Sequence, residues 1–575
     1  MLALQTLLQL SLVATSIAGT LDFVQLPTGR YIGLHDRPSG SRVYYNIPYG
    51  KARRFEAPQS LSGDGASNTL VNASSHGPAC VNFHLPAPFD TDEGLLLILG
   101  DTPIEPQTED CLSLDVYVPD GHFRQPLPVL VFIPGGGFLV GASFTYDFRP
   151  LLERGVKLGK PFIAVALNYR LGPLGQLNPS TAAADEINLG LQDQRLALRH
   201  VQKHIHAFGG DPHKVCFMQR IATSSPPIYS WTVHSQVIIS GQSSGAESTM
   251  HHILWSGDET LFRGVWAMSL PSSGQPALQK EFNPKDALIS RYAVAAGCPP
   301  NQTLADAISC LRTTPVPALV DASEAWEGSQ LSIGGSSISS NVFKNIRAGN
   351  YPKIPMVLAA CRDECTSTTR GFKSDNDETT AIAAWILADS ARMDPAQSVA
   401  FVNDILAAYP NDPTVGCPYD GQNTTCGEPS QFKRMSAITT DSTYTQPLTE
   451  YLDTFSKTQN VWGIEWAQKI PGTDVNPAYG VMHGSDLFFY FPRLGGDKRD
   501  PRLHGQAALV HQLQDSLATF ITDLTPQSKG ERYRWPTFAQ DRKMTSFGSH
   551  GAQSVNVPYR PGFDVIREGL RPADF

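Results

Sequence analysis

The chain has 575 residues, of which 41% are hydrophobic and 17% charged, and its formal net charge is −9. This composition is ordinary for a globular protein with a large apolar core, which excludes a disordered or fibrous chain. Lysine and arginine occur in no run longer than a pair, whereas a surface that binds nucleic acid needs clustered cations to displace counterions from phosphates. We therefore expect no nucleic-acid partner. Length alone allows one domain or three.

The first eighteen residues have the pattern of a secretory signal. They contain no charged side chain, and an apolar stretch over 2–14 precedes Ser16-Ile17-Ala18, which places small residues at positions −3 and −1 of a cleavage site. We predict a signal peptide over 1–18; a buried N-terminal helix is the alternative, since the basic n-region is missing. No later segment has the roughly 18 to 20 uninterrupted apolar residues of a membrane span. We expect a secreted, soluble protein over 19–575 without an integral membrane segment.

Nine cysteines in an exported protein indicate disulfides, and the odd count leaves at least one cysteine unpaired within the chain. The pairs that the spacing suggests are Cys80 with Cys111, Cys298 with Cys310, and Cys417 with Cys426. Export would also make N-glycosylation possible. The candidate sites are the Asn-x-Ser/Thr sequons at Asn72, Asn301 and Asn423.

From residue 110 onward, short apolar runs alternate with segments of helical periodicity. This alternation is typical of strands joined by crossover helices in a largely parallel sheet. The predicted elements are buried strands over 129–133, 162–167 and 355–361 and an amphipathic helix over 188–208 that ends at Gly209-Gly210. The more polar segment from about 370 to 460 is predicted to be a helical cap region over the sheet.

Gly241-Gln242-Ser243-Ser244-Gly245 has the pattern of a nucleophile elbow. It follows the apolar run 237–240 and precedes a potential helix that runs toward residue 254. An elbow requires a strand, a sharp turn with small residues around a strained serine, and then a helix. Because glycine and serine also cluster in ordinary turns, the flanking strand and helix favour the catalytic interpretation. We predict Ser243 as the nucleophile.

A serine hydroxyl needs a histidine to take its proton and a carboxylate to orient that histidine. In folds with this elbow, the acid and then the histidine follow the serine in the chain. The late histidines are His483, His504, His511 and His550. His483 lies in a loop-like setting, Gly480-Val481-Met482-His483-Gly484, which favours it as the base. Asp363 and Glu364 lie just beyond the predicted strand 355–361, where catalytic groups emerge from parallel sheets, and their position does not choose between them.

Three glycines follow Pro134. Glycine permits backbone angles and close approaches that other residues resist, which suits such a loop to point amide groups at an oxyanion. The predicted donors are the backbone N–H groups of Gly136, Gly137 and Ser244. A phosphate-binding loop is the rival interpretation, but the chain has no Gly-Lys-Ser/Thr ending here and the spacing does not fit a dinucleotide fingerprint.

Together these segments resemble the type-B carboxylesterase/lipase family, which includes cholinesterases and fungal lipases, from about residue 25 to the C-terminus. The segments that carry the resemblance are 109–115, 168–172, 188–195, 208–212, Arg362-Asp363-Glu364, the Met-His-Gly around His483, Trp535-Pro536 and 541–544. The resemblance implies an α/β-hydrolase with a large, mostly parallel sheet flanked by helices and with cap or lid insertions. It further implies Glu364 as the acid, a Cys80–Cys111 disulfide around a lid or gorge loop, and no cofactor or metal.

The chain departs from the family pattern beside the predicted site. Pro134 stands where the family often has histidine or tyrosine. Cys365 replaces the usual glycine after the acid and Cys361 lies just before it, which indicates either a strained local bridge or free thiols. No tryptophan occurs between Cys80 and Cys111, where cholinesterases carry the aromatic surface that binds a quaternary ammonium. Choline esters are therefore not expected as substrates.

The spacing before the elbow also differs. The family places the elbow glycine about eight residues after the aspartate of its Gly-Gly-Asp-Pro segment, whereas Asp211 and Gly241 are 30 positions apart, and removing the 22 residues 215–236 restores the spacing. This segment begins with Val-Cys and ends with Gln, which the codons GTATGT and CAG can encode, and these resemble intron borders. We predict a retained-intron insert over 215–236. As protein, it would interrupt the entry to the strand that carries Ser243 and risk misplacing the nucleophile.

The function that these patterns predict is that of a secreted serine carboxylesterase or lipase, which acts through an acyl-enzyme on small-molecule or lipid esters. The alternative is a catalytically inactive, cholinesterase-like binding or adhesion protein, because fold alone does not guarantee function. The apolar stretch 95–98 is interpreted either as a lipase-like lid or as ordinary packing. The sequence does not distinguish a lipase from an esterase and does not indicate an oligomeric state.

Overall fold

The computed structural model describes residues 23–61, 67–85, 104–214, 219–220, 229–230, 234–256, 259, 261–272, 277–278, 284–326, 331–369, 395–472, 475–492, 503–528 and 530–570. The predicted signal peptide 1–18, the predicted lid stretch 95–98 and Cys216 lie outside these residues.

One large sheet organises the described part of the chain. Its strands are β1 (Val24–Leu26), β2 (Gly29–Asp36), β3 (Ser41–Pro48), β4 (Leu70–Ala73), β5 (Ser113–Pro119), β6 (Val129–Ile133), β7 (Ile163–Leu167), β8 (Val237–Gln242), β9 (Gly264–Met268), β10 (Met356–Cys361), β11 (Val461–Trp466), β12 (Lys543–Gly548) and β13 (Gly551–Asn556). They pair in the order β1-β2-β3-β5-β7-β6-β8-β9-β10-β11-β12-β13, with β4 beside β2. All neighbours from β7 to β12 run parallel, whereas antiparallel pairs lie toward the two edges.

The central strands are apolar on both faces because both faces are covered. Along β6, Val129, Val131 and Ile133 belong to one buried core cluster, whereas Leu130 and Phe132 belong to a second cluster on the opposite face. Parallel strands buried on both sides read as continuous apolar runs, which is why the sequence revealed them. The strands predicted over 129–133, 162–167 and 355–361 are confirmed to within one residue.

Helices connect and cover the strands. They are α1 (Arg149–Lys157), α2 (Gly172–Gln176), α3 (Leu189–His204), α4 (Ser244–Ile253), α5 (Pro284–Ala295), α6 (Leu304–Thr313), α7 (Val316–Asp321), α8 (Val342–Arg347), α9 (Pro395–Ala408), α10 (Phe432–Thr440), α11 (Gln446–Phe455), α12 (Leu487–Tyr490), α13 (Ala507–Asp523), α14 (Phe538–Asp541) and α15 (Gly562–Leu570). The helix predicted over 188–208 is α3 with a 3-10 extension, and it ends at Gly209 in the left-handed region with φ 84°. Within the described residues, none of these helices is both long and apolar enough to span a bilayer.

The described part of the predicted cap region consists of helices and the non-helical segment 409–431. It contains α9, α10, α11 and the π-helix Asp441–Thr445, and α11 packs against β10 and β11. A buried ion pair ties this region to the C-terminal segment, because Arg560 Nη1 donates to Asp441 Oδ1 at 2.5 Å. The Tyr409 hydroxyl donates to the other Asp441 oxygen at 2.9 Å, and the Arg560 guanidinium lies 3.6 Å from the centre of the Tyr419 ring. Burial raises the pKa of Asp441, and Arg560 opposes that rise.

The predicted insert 215–236 folds back on itself where it is described. Lys214 pairs with His234, and Gln219–Arg220 pairs with Tyr229–Ser230, both antiparallel. The two ends of the segment are therefore adjacent. Val237 enters β8 in parallel register with Val129, so β8, the strand that precedes Ser243, keeps its place in the sheet beside this excursion.

Two of the three predicted disulfides are formed, Cys80–Cys111 and Cys298–Cys310. The predicted Cys417–Cys426 pair is wrong, and both residues are thiols. The Cys417 side chain points into the core, where its sulfur lies 3.6 Å from Asp363 Oδ1 and 3.7 Å from Thr440 Oγ1, while Cys426 is exposed. A bridge requires the two Cβ atoms to face each other at about 4 Å, and sequence proximity alone does not provide that geometry.

Arg560→Met tests the ion pair that ties the cap region to the C-terminal segment. Removing one partner leaves Asp441 buried and uncompensated, which costs about 3 kcal/mol in comparable pairs. We expect a loss of about that size in the free energy of unfolding, measured by urea denaturation. Arg567→Met is the matched control, because Arg567 forms an exposed pair with Asp564 and should cost less than about 1 kcal/mol. Equal losses in the two variants would contradict the anchoring role of Asp441.

Candidate active site

Ser243 lies at a sharp turn between β8 and α4. Its backbone, with φ 57° and ψ −127°, occupies a region that residues other than glycine rarely adopt. Close packing holds it there: a Cβ at Gly241 would lie 2.3 Å from the carbonyl carbon of Gly245, and a Cβ at Gly245 would lie 2.0 Å from the carbonyl oxygen of Ile133. The Ser243 N–H donates to the Met268 carbonyl at 3.0 Å. The predicted elbow thus has the strand, turn and helix that its chemistry requires.

The triglycine loop follows β6, the sheet neighbour of β8, and lies against Ser243. A Cβ at Gly135 would lie 3.1 Å from Ser243 Cβ. Gly136 and Gly137 have φ values of 115° and 62°, which glycine tolerates and other residues resist. Ser244 is the first residue of α4, so its backbone N–H has no partner within the helix. The fold therefore brings the three predicted oxyanion donors to the same turn.

The Ser244 side chain supports this loop, a role that the sequence did not predict. Its hydroxyl accepts a hydrogen bond from the Phe138 N–H at 3.2 Å. Burial raises the pKa of Tyr169, and the Ser244 hydroxyl opposes that rise. Tyr169 in turn donates to the Pro134 carbonyl at 3.0 Å. Ser244 and Tyr169 therefore support the triglycine loop.

His483 and Glu364 form a short, buried pair. Glu364 follows β10 and His483 follows β11, and these strands are neighbours in the sheet. The distance from His483 Nδ1 to Glu364 Oε2 is 2.5 Å, the Glu364 side chain is fully buried, and His483 is 16% exposed. The other Glu364 oxygen accepts the Cys361 N–H at 2.6 Å, and the His483 N–H donates to the Glu364 carbonyl at 3.1 Å. Both ends of the pair are thus fixed.

The structure separates the two acids that the sequence left open. Asp363 Oδ1 accepts the Tyr419 N–H at 2.9 Å, and Asp363 Oδ2 accepts the Val481 N–H at 2.8 Å. These bonds hold the loop that leads to His483, and they occupy both carboxylate oxygens. Burial raises the pKa of Asp363, and the two backbone donors oppose that rise. Glu364 contacts the imidazole, and Asp363 anchors the loop.

Cys361 and Cys365 are free thiols rather than a strained bridge. Burial raises the pKa of Cys361 well above its ordinary value and that of Cys365 to about 12. Both thiols are therefore protonated at neutral pH and are poor nucleophiles. Cys361 Sγ lies 3.9 Å from Asp486 Oδ1, so a second buried carboxyl lies behind the His483–Glu364 pair.

Two further side chains contact His483 and were not predicted. Gln242 Nε2 lies 3.0 Å from His483 Nε2, and the Tyr444 ring lies 5.3 Å from the imidazole, centre to centre. Gln242 is inside the elbow motif, so its proximity to the serine could have singled it out. Tyr444 is on the π-helix Asp441–Thr445, and no local sequence signal indicates that this segment reaches the histidine.

The three predicted glycosylation sites are on the surface. Asn72, Asn301 and Asn423 are all exposed. Exposure is a requirement for glycan attachment, and the modification itself stays a prediction.

The family of this chain is established by comparison with the sequence models of known families. Residues 21–222 and 234–560 match the sequence model of the carboxylesterase family. The chain belongs to the carboxylesterase family. This carboxylesterase is thus a carboxylic ester hydrolase by family. The unmatched residues 223–233 lie inside the predicted insert 215–236.

Similar proteins include fungal lipases. Lipase 5 of Diutina rugosa is 27% identical to this carboxylesterase over 543 residues, which cover 90% of this chain and 88% of that protein. Secreted lipase 1 of Botryotinia fuckeliana (strain B05.10) is 28% identical, with 90% and 85% of the two chains covered. The crystal structure of Aspergillus niger EstA superposes with a TM-score of 0.76 at 21% identity and covers 96% of this chain and 99% of that chain. This last likeness establishes the fold, which confirms the predicted α/β-hydrolase.

Asp486→Asn tests the buried carboxyl behind the pair. Burial, together with Glu364, raises the pKa of Asp486 to about 7, and His483 opposes that rise. An aspartate in an unfolded chain has a pKa of about 3.9. Folding therefore favours the protonated form of Asp486 over the pH range between these two values. This contribution to stability is full below about pH 4 and is lost as the pH rises toward 7.

Asparagine does not titrate, so we expect Asp486→Asn to gain a few kcal/mol relative to the wild type between pH 4 and pH 8. Urea denaturation across this range measures the difference. The exposed Asp404→Asn is the control and should run parallel to the wild type. If the Asp486→Asn curve is also parallel, the assignment is wrong.

Proposed function

We propose that this carboxylesterase hydrolyses its ester through an acyl-enzyme on Ser243. His483 takes the proton of Ser243 Oγ as that oxygen bonds to the ester carbonyl carbon, and then returns the proton to the departing alcohol. Water, deprotonated by His483, then attacks the acyl carbon. The bond from that carbon to Ser243 Oγ breaks, and His483 returns the proton to Oγ, which releases the acid and restores the serine. The short contact from His483 Nδ1 to Glu364 Oε2 carries this proposal, because it fixes the tautomer in which Nε2 carries no proton and can accept one, and it stabilises the imidazolium that forms.

The negative charge that develops on the carbonyl oxygen needs donors that are in place beforehand. We assign the backbone N–H groups of Gly136, Gly137 and Ser244 to this role. The contact between Gly135 and Ser243 and the bond from Phe138 to Ser244 support it, since they hold the loop and the helix start against the nucleophile. Loss of one such donor typically costs about 3 to 4 kcal/mol of transition-state stabilisation.

The proposed substrates are small-molecule or lipid esters, and the proposed location is extracellular. The relatives named lipases support an apolar acyl group, and a relative named as secreted supports export behind a signal peptide over 1–18. The two formed disulfides fit an oxidising compartment.

Ser243→Ala, Glu364→Gln and Asp363→Asn test the proposed roles. With p-nitrophenyl esters, we expect kcat/KM to fall by about 10⁵ to 10⁶ for Ser243→Ala and by about 10³ to 10⁴ for Glu364→Gln, because the histidine loses the partner that fixes its tautomer. Asp363→Asn should reduce stability but cost less than about tenfold in kcat/KM, since the bonds of Asp363 go to two backbone N–H groups and the Cys417 thiol rather than to His483.

A fluorophosphonate that phosphonylates the active serine, followed by mass measurement, should modify every folded variant except Ser243→Ala. Hydrolysis that survives Ser243→Ala would overturn the acyl-enzyme on this residue. A larger loss in Asp363→Asn than in Glu364→Gln would overturn the assignment of the acid. Comparing acyl chains of increasing length with emulsified triacylglycerol separates an esterase from a lipase.

We also propose that codons 215–236 are an intron of the gene that is retained in this sequence. Splicing would then remove them, and the mature protein would lack these residues. The break in the family match at 223–233 supports an insertion here. Its described ends are adjacent, since Lys214 pairs with His234, so excision would join Lys214 to Val237 over a short gap. Sequencing should show that the mature message lacks these codons, and the protein without residues 215–236 should hydrolyse esters. A message that retains codons 215–236 contradicts the proposal.

A further inference from the structure

Gln242 contacts both halves of the proposed catalytic machinery. It is the last residue of β8, directly before Ser243, and its side chain is buried. Its Nε2 lies 3.0 Å from His483 Nε2. A Cβ at Gly135 would lie 2.7 Å from its Oε1, so the carbonyl end of the same amide lies against the triglycine loop. One amide therefore spans the space between the loop and the base.

The polarity of this contact depends on the protonation state of His483. Because Nδ1 faces Glu364, the ring proton of the neutral imidazole is on Nδ1, and Nε2 is an acceptor. The Gln242 amide N–H can donate to Nε2 in that state. When the ring is doubly protonated, Nε2–H is a donor and the two N–H groups oppose each other. The observed arrangement thus favours the neutral ring, which is the form that must accept the proton of Ser243.

Two acids near His483 favour the protonated ring when they are ionised. They are Glu364, just beyond the end of β10, and Asp486, in the loop that carries the histidine, whose pKa of about 7 leaves it ionised only above that pH. The Tyr444 ring from the π-helix lies against the imidazole, and the Cys361 thiol of β10 lies beside Asp486. The charge of Glu247, on α4, helps to raise the pKa of Tyr444. Because Glu364 and Asp486 are acids and Tyr444 and Cys361 are neutral, Gln242 is the amide donor that counters them at Nε2.

We propose that Gln242 is a positioning residue whose amide holds the neutral imidazole of His483 in the resting enzyme until Ser243 Oγ takes over the bond to Nε2. The inference rests on the proposed function and adds to it a residue that sets the pH range in which the base is competent. A glutamate at this position would replace the donor by an anion about 3 Å from Nε2, and a nearby opposite charge stabilises the protonated ring.

Gln242→Glu and Gln242→Met test the role. For Gln242→Glu we expect the acidic limb of the kcat/KM–pH profile to move by about one unit to higher pH. Gln242→Met keeps the volume without the amide and should move the limb in the same direction by less, with kcat lowered more than KM is raised. Each activity is divided by the concentration of active serine, titrated with the fluorophosphonate, so that a smaller fraction of folded enzyme does not lower the measured kcat.

Gln194→Glu is the matched control. Gln194 is also a buried glutamine beside a histidine, with its Oε1 3.0 Å from His252 Nε2, and it belongs to no part of the proposed machinery. It should leave the acidic limb in place even where it reduces stability. If Gln242→Glu folds and its limb does not move, the proposal is overturned, because a purely structural glutamine would give that result.

A readout without turnover separates this inference from the proposed function. In the Ser243→Ala background, NMR titration of the ¹⁵N-histidine-labelled protein follows the His483 ring, whose signal is identified by its loss in His483→Gln. Gln242→Glu should raise the titration midpoint by about one unit. If Gln242→Glu raises the midpoint but the wild-type protein hydrolyses no ester, the role of Gln242 at His483 is supported and the proposed function is overturned. An unchanged midpoint would overturn the role of Gln242.

Discussion

The strained backbone of Ser243 is the constraint on which the site depends. A residue other than glycine at φ 57° and ψ −127° is kept there only when its surroundings leave no alternative. Here β8 is fixed by parallel pairing with β6 and β9, and α4 begins directly afterwards. Gly241 and Gly245 allow the strand and helix to approach more closely than any side chain would permit. Close packing beneath the turn therefore holds the serine at the carboxyl end of the central strand β8.

The remaining groups of the site lie at the same side of the sheet, beyond the carboxyl ends of the parallel strands. Strands β6, β8, β10 and β11 run parallel, so the segments that follow them emerge on one side: the triglycine loop, Ser243, Glu364 and His483. Catalytic and ligand-binding groups collect at the carboxyl ends of parallel strands for this reason. The four groups come from segments spread over some 350 positions of the sequence, and no local interaction could have brought them together.

The electrostatics of the site balance acids against neutral donors. Glu364 and Asp486 are buried near one imidazole, and burial of the thiols of Cys361 and Cys365 raises their pKa and keeps them uncharged. In such a low-dielectric setting each carboxylate acts strongly on its neighbours. Backbone N–H groups and the amide of Gln242 are the neutral partners that decide which form of each acid and of the histidine is favoured.

The sequence by itself determined the elements whose burial leaves a periodic or continuous apolar pattern. It also determined the sharp turn around Ser243 and the triglycine loop after Pro134, because the backbone at these turns requires those residue types locally. The family resemblance implied Glu364 as the acid, and the tertiary structure shows that Glu364 rather than Asp363 contacts the imidazole of His483, since adjacent residues are distinguished only by what each side chain meets. Tertiary structure also decided that Cys417 points into the core toward Asp363 instead of pairing with Cys426, and that Gln242 and Tyr444 meet His483. These outcomes depend on contacts between segments distant in the chain, which a single sequence does not encode in any local pattern.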